Sequence, residues 1–343
     1  MIQRGRFSRA RVIRRSVPCA VAVSCLVALA ALPGGAGSHA SPKPAVNGAP
    51  SPPAKPVDPT DKLLATGWDQ LGLVNYGAAL KTFRQVMAAE GSREQKAAAT
   101  FALGHLWQYR RPGADVEKAR RRYEQVVSGY KGTPSARLGL MALARLADTP
   151  ELERDRDVKR AQTLYKKIIH EGPADFIADE AVLRLAMTYL EKRGERKAED
   201  VGAKLLREHL SQRPDNFLAH AMHLTLGSLL QNRGQYRQAV EQLIAADRAD
   251  ERAAMKELTP EQSSAPPAKL AGHLTQVRVM ARGARASLYF RIAKIAEKHL
   301  KDYALAARWY ERIVREIRRD NRFYVSKVAA ERCRKLAAKG SRP

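Results

Sequence analysis

A three-position pattern recurs six times along this chain. A small residue is followed four positions later by a large, mostly apolar or aromatic one, and usually by another apolar residue three positions further on. Successive small residues lie 40, 42, 41, 37 and 67 positions apart. A period of this length is typical of a repeat architecture. The small and large residues, which we predict to pack between helices, are Ala79 and Phe83, Ala119 and Tyr123, Ala161 and Tyr165, Gly202 and Leu206, Ala239 and Leu243, and Ala306 and Tyr310.

The spacing indicates helices rather than strands. Positions separated by four and then three residues fall on one face of an α-helix. A small side chain there lets a neighbouring helix approach, and the large one fills the space beside it. A hairpin of two such helices is too small to bury its own apolar face, so successive hairpins must stack. Alanine and leucine dominate the apolar residues, which also favours helix over sheet.

Proline marks the predicted boundaries. Nine of the eighteen prolines lie at or before Pro59, and residues 41–59 are too rich in proline and alanine to bury a core. We therefore predict a disordered linker over 41–59 and a helical repeat domain over 60–343. A polar, proline-bearing stretch follows residue 256, so we predict an inserted loop over about 250–272, which accounts for the long last interval.

Residues of the fifth repeat resemble those of a known repeat family. Gly227, Gly234-Gln235-Tyr236, Ala239 and Leu243 stand at the spacings of a tetratricopeptide repeat, which the chain therefore resembles. Repeats two and three are similar to the longer Sel1-like variant, as at Leu103-Gly104. The resemblance implies an all-α, right-handed α-α superhelix of about six hairpins, with Gly227 and Tyr236 among the packing residues. It also implies a C-terminal capping helix with a polar outer face, for which residues 322–339 are the candidate.

The resemblance further implies a site for a partner. In this family the first helix of each hairpin lines a concave groove that holds a segment of another protein. An alternative is that Trp68 and Phe101 only pack between hairpins. The lysine and asparagine pattern that clamps a C-terminal carboxylate in chaperone-binding members is absent, so we do not expect chaperone tail recognition. Transferred by register, the groove residues are Trp68, Phe101, His105, Gln108, Tyr109, Ser228, Gln231 and Asn232.

Motifs of catalysis and metal binding are missing from the sequence. No nucleophile elbow, zinc-protease, paired-cysteine or phosphate-loop motif occurs. His209, His220 and His223 invite the hypothesis of a zinc site, but no further ligand stands at metal spacing. The competing interpretation is that they are ordinary histidines of repeat helices. We therefore predict no catalytic residue, no metal site, no cofactor and no enzymatic activity.

The N-terminal segment is typical of a secretory signal peptide. Residues 1–16 hold six arginines and no acid, a mostly apolar run covers 17–32, and Ser38 and Ala40 place small residues before a cleavage site. A retained membrane anchor over 17–32 is the alternative, although sixteen residues fall short of the ~20 needed to span a bilayer. We expect a signal peptide over 1–40 and export to a bacterial periplasm or cell envelope.

Basic residues exceed acidic ones by a wide margin. The chain of 343 residues has 61 Lys and Arg against 35 Asp and Glu, and loss of the six N-terminal arginines would lower its net charge from +26 to +20. Export argues against a nucleic acid partner, and no interleaved aromatics favour one. We predict an exported protein-binding scaffold; the alternative is a module that binds a polyanion, such as an envelope polymer, or an anionic lipid surface. The candidate basic patch for that alternative is Arg308, Arg312, Arg315 and Arg319.

Overall fold

The chain forms α-helices that pack in consecutive pairs, and the described residues contain no β-strand. The computed structural model describes residues 58–110, 112–149, 155–172, 174–192, 194–256, 284–317 and 320–340. The chain divides into two compact units, Met1–Ala89 and Glu90–Pro343. The helices of the second unit are α3 (Arg93–Tyr109), α4 (Val116–Gly129), α5 (Pro134–Asp148), α6 (Val158–Glu171), α7 (Phe176–Leu190), α8 (Arg196–Gln212), α9 (Ala219–Asn232), α10 (Tyr236–Lys256), α11 (284–295, continued by a π-helical turn at Ala296–Leu300), α12 (Tyr303–Glu316) and α13 (Phe323–Gly340).

The first compact unit contains one hairpin of α1 (Pro59–Gly72) and α2 (Tyr76–Ala88). Asp58 caps α1 by accepting a hydrogen bond from the Thr60 amide at 2.7 Å, which satisfies one of the free donors at a helix start. The ring of Phe83 occupies the space where a side chain at Gly67 would lie. The two helices therefore approach closely because one position is small and the other large.

The second unit repeats this arrangement. Helices α3 and α4, α5 and α6, α7 and α8, and α9 and α10 form successive hairpins; α12 packs against the π-helical end of α11, and α13 packs on α12. The first helices α3, α5 and α7 also contact one another in turn. Short polar side chains begin several second helices: Asp115, Asp157 and Asp302 each accept a hydrogen bond from an amide three residues later. The same type of N-cap, an aspartate side chain, therefore begins several second helices.

Small and large residues meet at the hairpin cores. A β-carbon at Gly104 would lie 2.6 Å from the Tyr123 ring, and one at Gly227 would lie 2.9 Å from Leu243. Tyr236 is only partly buried and packs at the edge of the C-terminal core. The other packing residues named from the sequence are buried, namely Ala79, Phe83, Ala119, Tyr123, Ala161, Tyr165, Gly202, Leu206, Gly227, Ala239, Leu243, Ala306 and Tyr310.

One boundary near the C-terminal end of the chain differs from the sequence prediction. Helix α10 continues to Lys256, so residues 250–256 are not loop; they contain good helix formers and no proline or glycine. The rest of the predicted loop, residues 257–272, lies outside the described residues. Helix α13 lies at the C-terminal end, as predicted, and its exposed surface combines charged residues such as Lys327, Arg334 and Lys335 with the apolar side chains of Tyr324, Val325 and Val328.

The N-terminal predictions concern residues that the structure does not describe. The predicted signal peptide or anchor over 1–40 and nearly all of the linker over 41–59 lie outside the described ranges; α1 begins at Pro59. Within the described ranges, no helix combines the length and apolar character needed to cross a membrane.

Candidate functional site

An aromatic stripe runs along α3. Phe101, His105 and Tyr109 are spaced four residues apart, and the rings of His105 and Tyr109 are 4.5 Å apart between centroids. Phe101 is buried and packs against Tyr123 at 5.6 Å, and Gln108 accepts a 2.7 Å hydrogen bond from the Tyr123 hydroxyl. Phe101 and Gln108 therefore both contact Tyr123 in the core of their own hairpin. Tyr109, which is 47% exposed, supplies the surface at this end of the stripe.

An arginine–glutamate–arginine cluster connects α5 to α7. Arg145 donates from Nε to Glu180 Oε1 at 2.9 Å and from a terminal nitrogen to the other carboxylate oxygen. Arg184 donates to the same Oε1 at 2.6 Å. Burial of Glu180 favours its neutral form, but the two guanidinium groups outweigh burial and hold its pKa below the usual value. The carboxylate therefore stays charged and links two successive first helices.

The charge cluster also affects the aromatic stripe, because the positive charge of Arg145 acts on His105. Burial, reinforced by the positive charge of Arg145, lowers the pKa of His105 to about 4. His105 is therefore a neutral, partly buried aromatic ring at neutral pH, with its Nδ1 atom enclosed by the protein. We call these five residues, His105, Tyr109, Arg145, Glu180 and Arg184, the α3–α7 face.

The remaining predicted groove residues lie elsewhere. Arg291 on α11 donates to Gln231 at 2.7 Å and to Ser228 at 3.0 Å, so these two side chains connect α9 to α11. Asn232 is exposed at the end of α9. Trp68 belongs to the first compact unit, where its ring meets Phe83 edge-on at 5.6 Å.

Sequence reasoning missed the charged residues of the α3–α7 face. Arg145 and Glu180 are 35 positions apart, close to one repeat, and the same holds for Arg156 and Glu191, which also pair. The separation is six or seven residues shorter than the local repeat, so a search for opposite charges about two helical turns short of one repeat would have found them. Such pairs join neighbouring hairpins.

Each of the three histidines named for a zinc hypothesis has its own partner. His209 Nε2 lies 2.8 Å from Asp179 Oδ1, His220 Nδ1 lies 2.9 Å from the Ala246 carbonyl, and His223 Nδ1 lies 2.8 Å from Gln242 Oε1. Over the described ranges, no group of three or more histidine, cysteine or acidic residues is arranged to hold a metal ion.

The candidate basic patch is not a uniform positive surface. Arg312 lies over the Tyr289 ring at 4.5 Å and donates to Asp247 at 2.5 Å and to Glu316 at 3.1 Å. Burial of Asp247 outweighs the attraction of Arg312 and raises the pKa of that carboxyl. The guanidinium of Arg312 is therefore already bound by groups of the protein itself.

The other arginines of the patch have different positions. Arg315 is exposed and pairs with Glu316 at 3.0 Å, and Arg308 is exposed. Arg319 lies outside the described residues. Only Arg308 and Arg315 therefore offer positive surface in the described part of the patch.

A comparison with solved structures found similar chains. The assembly chaperone of RpL4 (Acl4), residues 1–338, is similar over 82% of this chain and 99% of that chain, with 18% sequence identity and a TM-score of 0.44. No protein-family model matches the sequence, and no curated protein shows significant similarity to it.

Proposed function

We propose that this chain is a non-enzymatic scaffold that binds a protein segment on the α3–α7 face. The observation that carries the proposal is the half-exposed Tyr109 beside a neutral His105, next to a charge cluster that spans two further first helices. Tyrosine and arginine are enriched where proteins bind one another, because each combines apolar area with directed polar groups.

The polar groups of the face suit a peptide backbone or an acidic side chain. A guanidinium has five N–H donors, and the bonds to Glu180 use two of those of Arg145 and one of those of Arg184. Both arginine side chains are about one-third exposed, at 31% and 32%. Their remaining donors are available to carbonyl or carboxylate oxygens of a bound segment.

Cross-linking of the tagged chain in its own cells tests this proposal. Proteins recovered with the wild-type chain are compared by mass spectrometry with those recovered with Tyr109→Ser, and with Phe217→Ser as the matched control. Phe217 is also exposed, at 65%, but lies between α8 and α9. We expect one set of proteins to be lost with Tyr109→Ser and retained with the control. Recovery that is the same for all three chains would contradict the proposal.

We further propose that the hairpins are tetratricopeptide repeats, Sel1-like in the second and third, and that residues 1–40 direct export. Support for export comes from the arrangement of arginines, apolar run and small residues at the N-terminus. An alkaline phosphatase fusion after residue 60 should be active, because this enzyme requires export for its disulfides. An inactive but stable fusion would contradict export.

The polyanion alternative has weaker support. Arg312, at the centre of the candidate patch, is already paired with Asp247, Glu251 and Glu316. An anion would have to compete with three carboxylates for this side chain. We therefore propose no second function on this surface.

A further inference from the structure

The last helix has two different apolar faces. Ser326, Ala329, Ala330 and Cys333 are buried, and the C-terminal core includes the last three of them. On the other side of the helix, three large apolar residues are exposed: Tyr324 at 78%, Val325 at 56% and Val328 at 66%. We call this second surface the α13 face.

The α13 face borders a groove. An open cavity of about 380 Å³ lies between α11 and α13, with Tyr310 and Ala329 among its lining residues and Val325 and Val328 on the α13 side. Lys294 and Arg332 line the same cavity. The groove therefore combines an apolar surface with basic side chains.

The repeat indicates which kind of element fits this face. In the preceding hairpins a first helix packs against its own second helix, which follows it in the sequence. Helix α13 follows α12, the second helix of the hairpin before it, and thus occupies the place of a first helix. The α13 face is uncovered among the described residues, and a helix in the place of a second helix would pack there.

Charge indicates the kind of helix that would fit. Helix α13 has five basic residues and one acidic residue. Glu297 neutralises part of the groove, since it pairs with Arg332 and accepts a hydrogen bond from Tyr310. Among the described residues, Lys294 and Lys327 have no ion pair, which leaves positive charge on both sides of the valines.

We propose that the α13 face binds an amphipathic helix of a partner protein, with acidic residues flanking an apolar stripe. The bound helix packs on α13 in the way that a second helix packs on the first helix of each earlier hairpin. The site lies on different helices from the α3–α7 face and does not depend on the function proposed there.

The same charge argument disfavours this chain as its own ligand. Two copies of α13 packed face to face would bring their basic residues together. Residues 1–57 lie outside the described ranges and contain no aspartate or glutamate. The segment 257–283 contains no acidic residue besides Glu257 and Glu261, which stand either side of Pro260 and are outnumbered by the basic residues there. Neither segment has the sequence of an apolar helix with acidic residues on both flanks. A partner with acidic flanks satisfies the surface better than either.

A pair of designed peptides tests the proposal. One fluorescent peptide, about as long as α13, has leucine at helical positions i, i+3, i+4 and i+7 and glutamate at the flanks; the other has lysine in place of glutamate. Anisotropy is measured with the full chain at about 150 mM salt, where long-range attraction is screened. We expect the glutamate peptide to bind about tenfold more tightly than the lysine peptide.

Two valine substitutions locate the binding site. Val328→Ser should weaken the glutamate peptide about fivefold through loss of apolar contact. The matched control Val201→Ser, at a 45% exposed valine on α8, should leave binding unchanged. Circular dichroism should show equal helicity in both variants, because both valines are exposed.

Other results would overturn the proposal. They are absence of binding, equal binding of the two peptides, and binding that Val328→Ser leaves unchanged. A dimer in sedimentation that Val328→Ser dissociates would assign the face to a second copy. A peptide of residues 257–283 that displaces the glutamate peptide would assign it to the chain itself.

Discussion

The α3–α7 face and the α13 face are both built on first helices, yet they differ in how their side chains are satisfied. On α5 and α7, polar groups of one hairpin find partners in the next hairpin, as Arg145 does in Glu180. On α13, three large apolar side chains remain exposed beside basic residues. A first helix that has a hairpin on each side finds partners for its polar side chains in the neighbouring hairpins. Among the described residues no further hairpin covers the α13 face, and we propose that another molecule binds it.

The largest expected effect is loss of the charge that links α5 and α7. Glu180→Gln leaves Arg145 and Arg184 facing each other without a carboxylate, so we expect the free energy of unfolding to fall by about 3 kcal/mol. Glu331→Gln on α13 removes an exposed pair with Lys335 and should cost less than ~0.5 kcal/mol. Urea unfolding of both variants measures the contrast. Equal losses would remove the distinction between the two regions.

A second contrast concerns packing. Gly104→Val forces atoms into the Tyr123 ring, and we expect a loss of about 2 kcal/mol in the free energy of unfolding. Val328→Ser changes an uncovered position and should alter stability by less than ~0.5 kcal/mol. If thermal unfolding showed Val328→Ser to be as destabilising as Gly104→Val, the α13 face would be part of the core.

A third contrast is pH dependence, which we expect from the α3–α7 face and not from α13, whose sequence has no histidine. The pKa of His105 is about 4 in the folded chain and ~6.5 when unfolded, so the unfolded chain binds the proton more readily. The stabilisation is complete above pH 6.5 and is lost as the pH falls towards 4.

The expected size follows from the same pKa values. Between pH 7.5 and pH 5 the wild type should lose ~1.9 kcal/mol more unfolding free energy than His105→Phe. Val328→Ser should retain the full pH dependence. Urea unfolding at the two pH values decides the point, and parallel behaviour of wild type and His105→Phe would refute it.

Much of the fold was predictable from the sequence. Small residues such as Ala119 and large ones such as Tyr123 recur at a helical spacing, and side chains with those sizes can pack hairpins in only a few ways. The all-α class and the pairing of helices were therefore accessible without coordinates. The exposed Tyr109 was likewise named from its register on the first helix.

The charged part of the site was not predictable by the same reasoning. Arg145 and Glu180 are ordinary surface residues by type, and only the stacking of α5 on α7 brings them together. The position of the Arg312 side chain was not predictable either. Its helical spacing with Arg308 indicates an exposed basic stripe, whereas the side chain contacts the buried Asp247 and the Tyr289 ring. In both cases the surroundings of the side chain depend on a partner that is distant in the sequence.

Site-specific photo-cross-linking tests the central claim most directly. A benzophenone amino acid replaces Tyr109 in one full-length chain and Lys204, exposed on the second helix α8, in a control chain. After irradiation in its own cells, the chain labelled at position 109 should give a discrete adduct with another protein, and the control should not. Adducts of equal yield from both positions, or none from position 109, would contradict binding at the α3–α7 face.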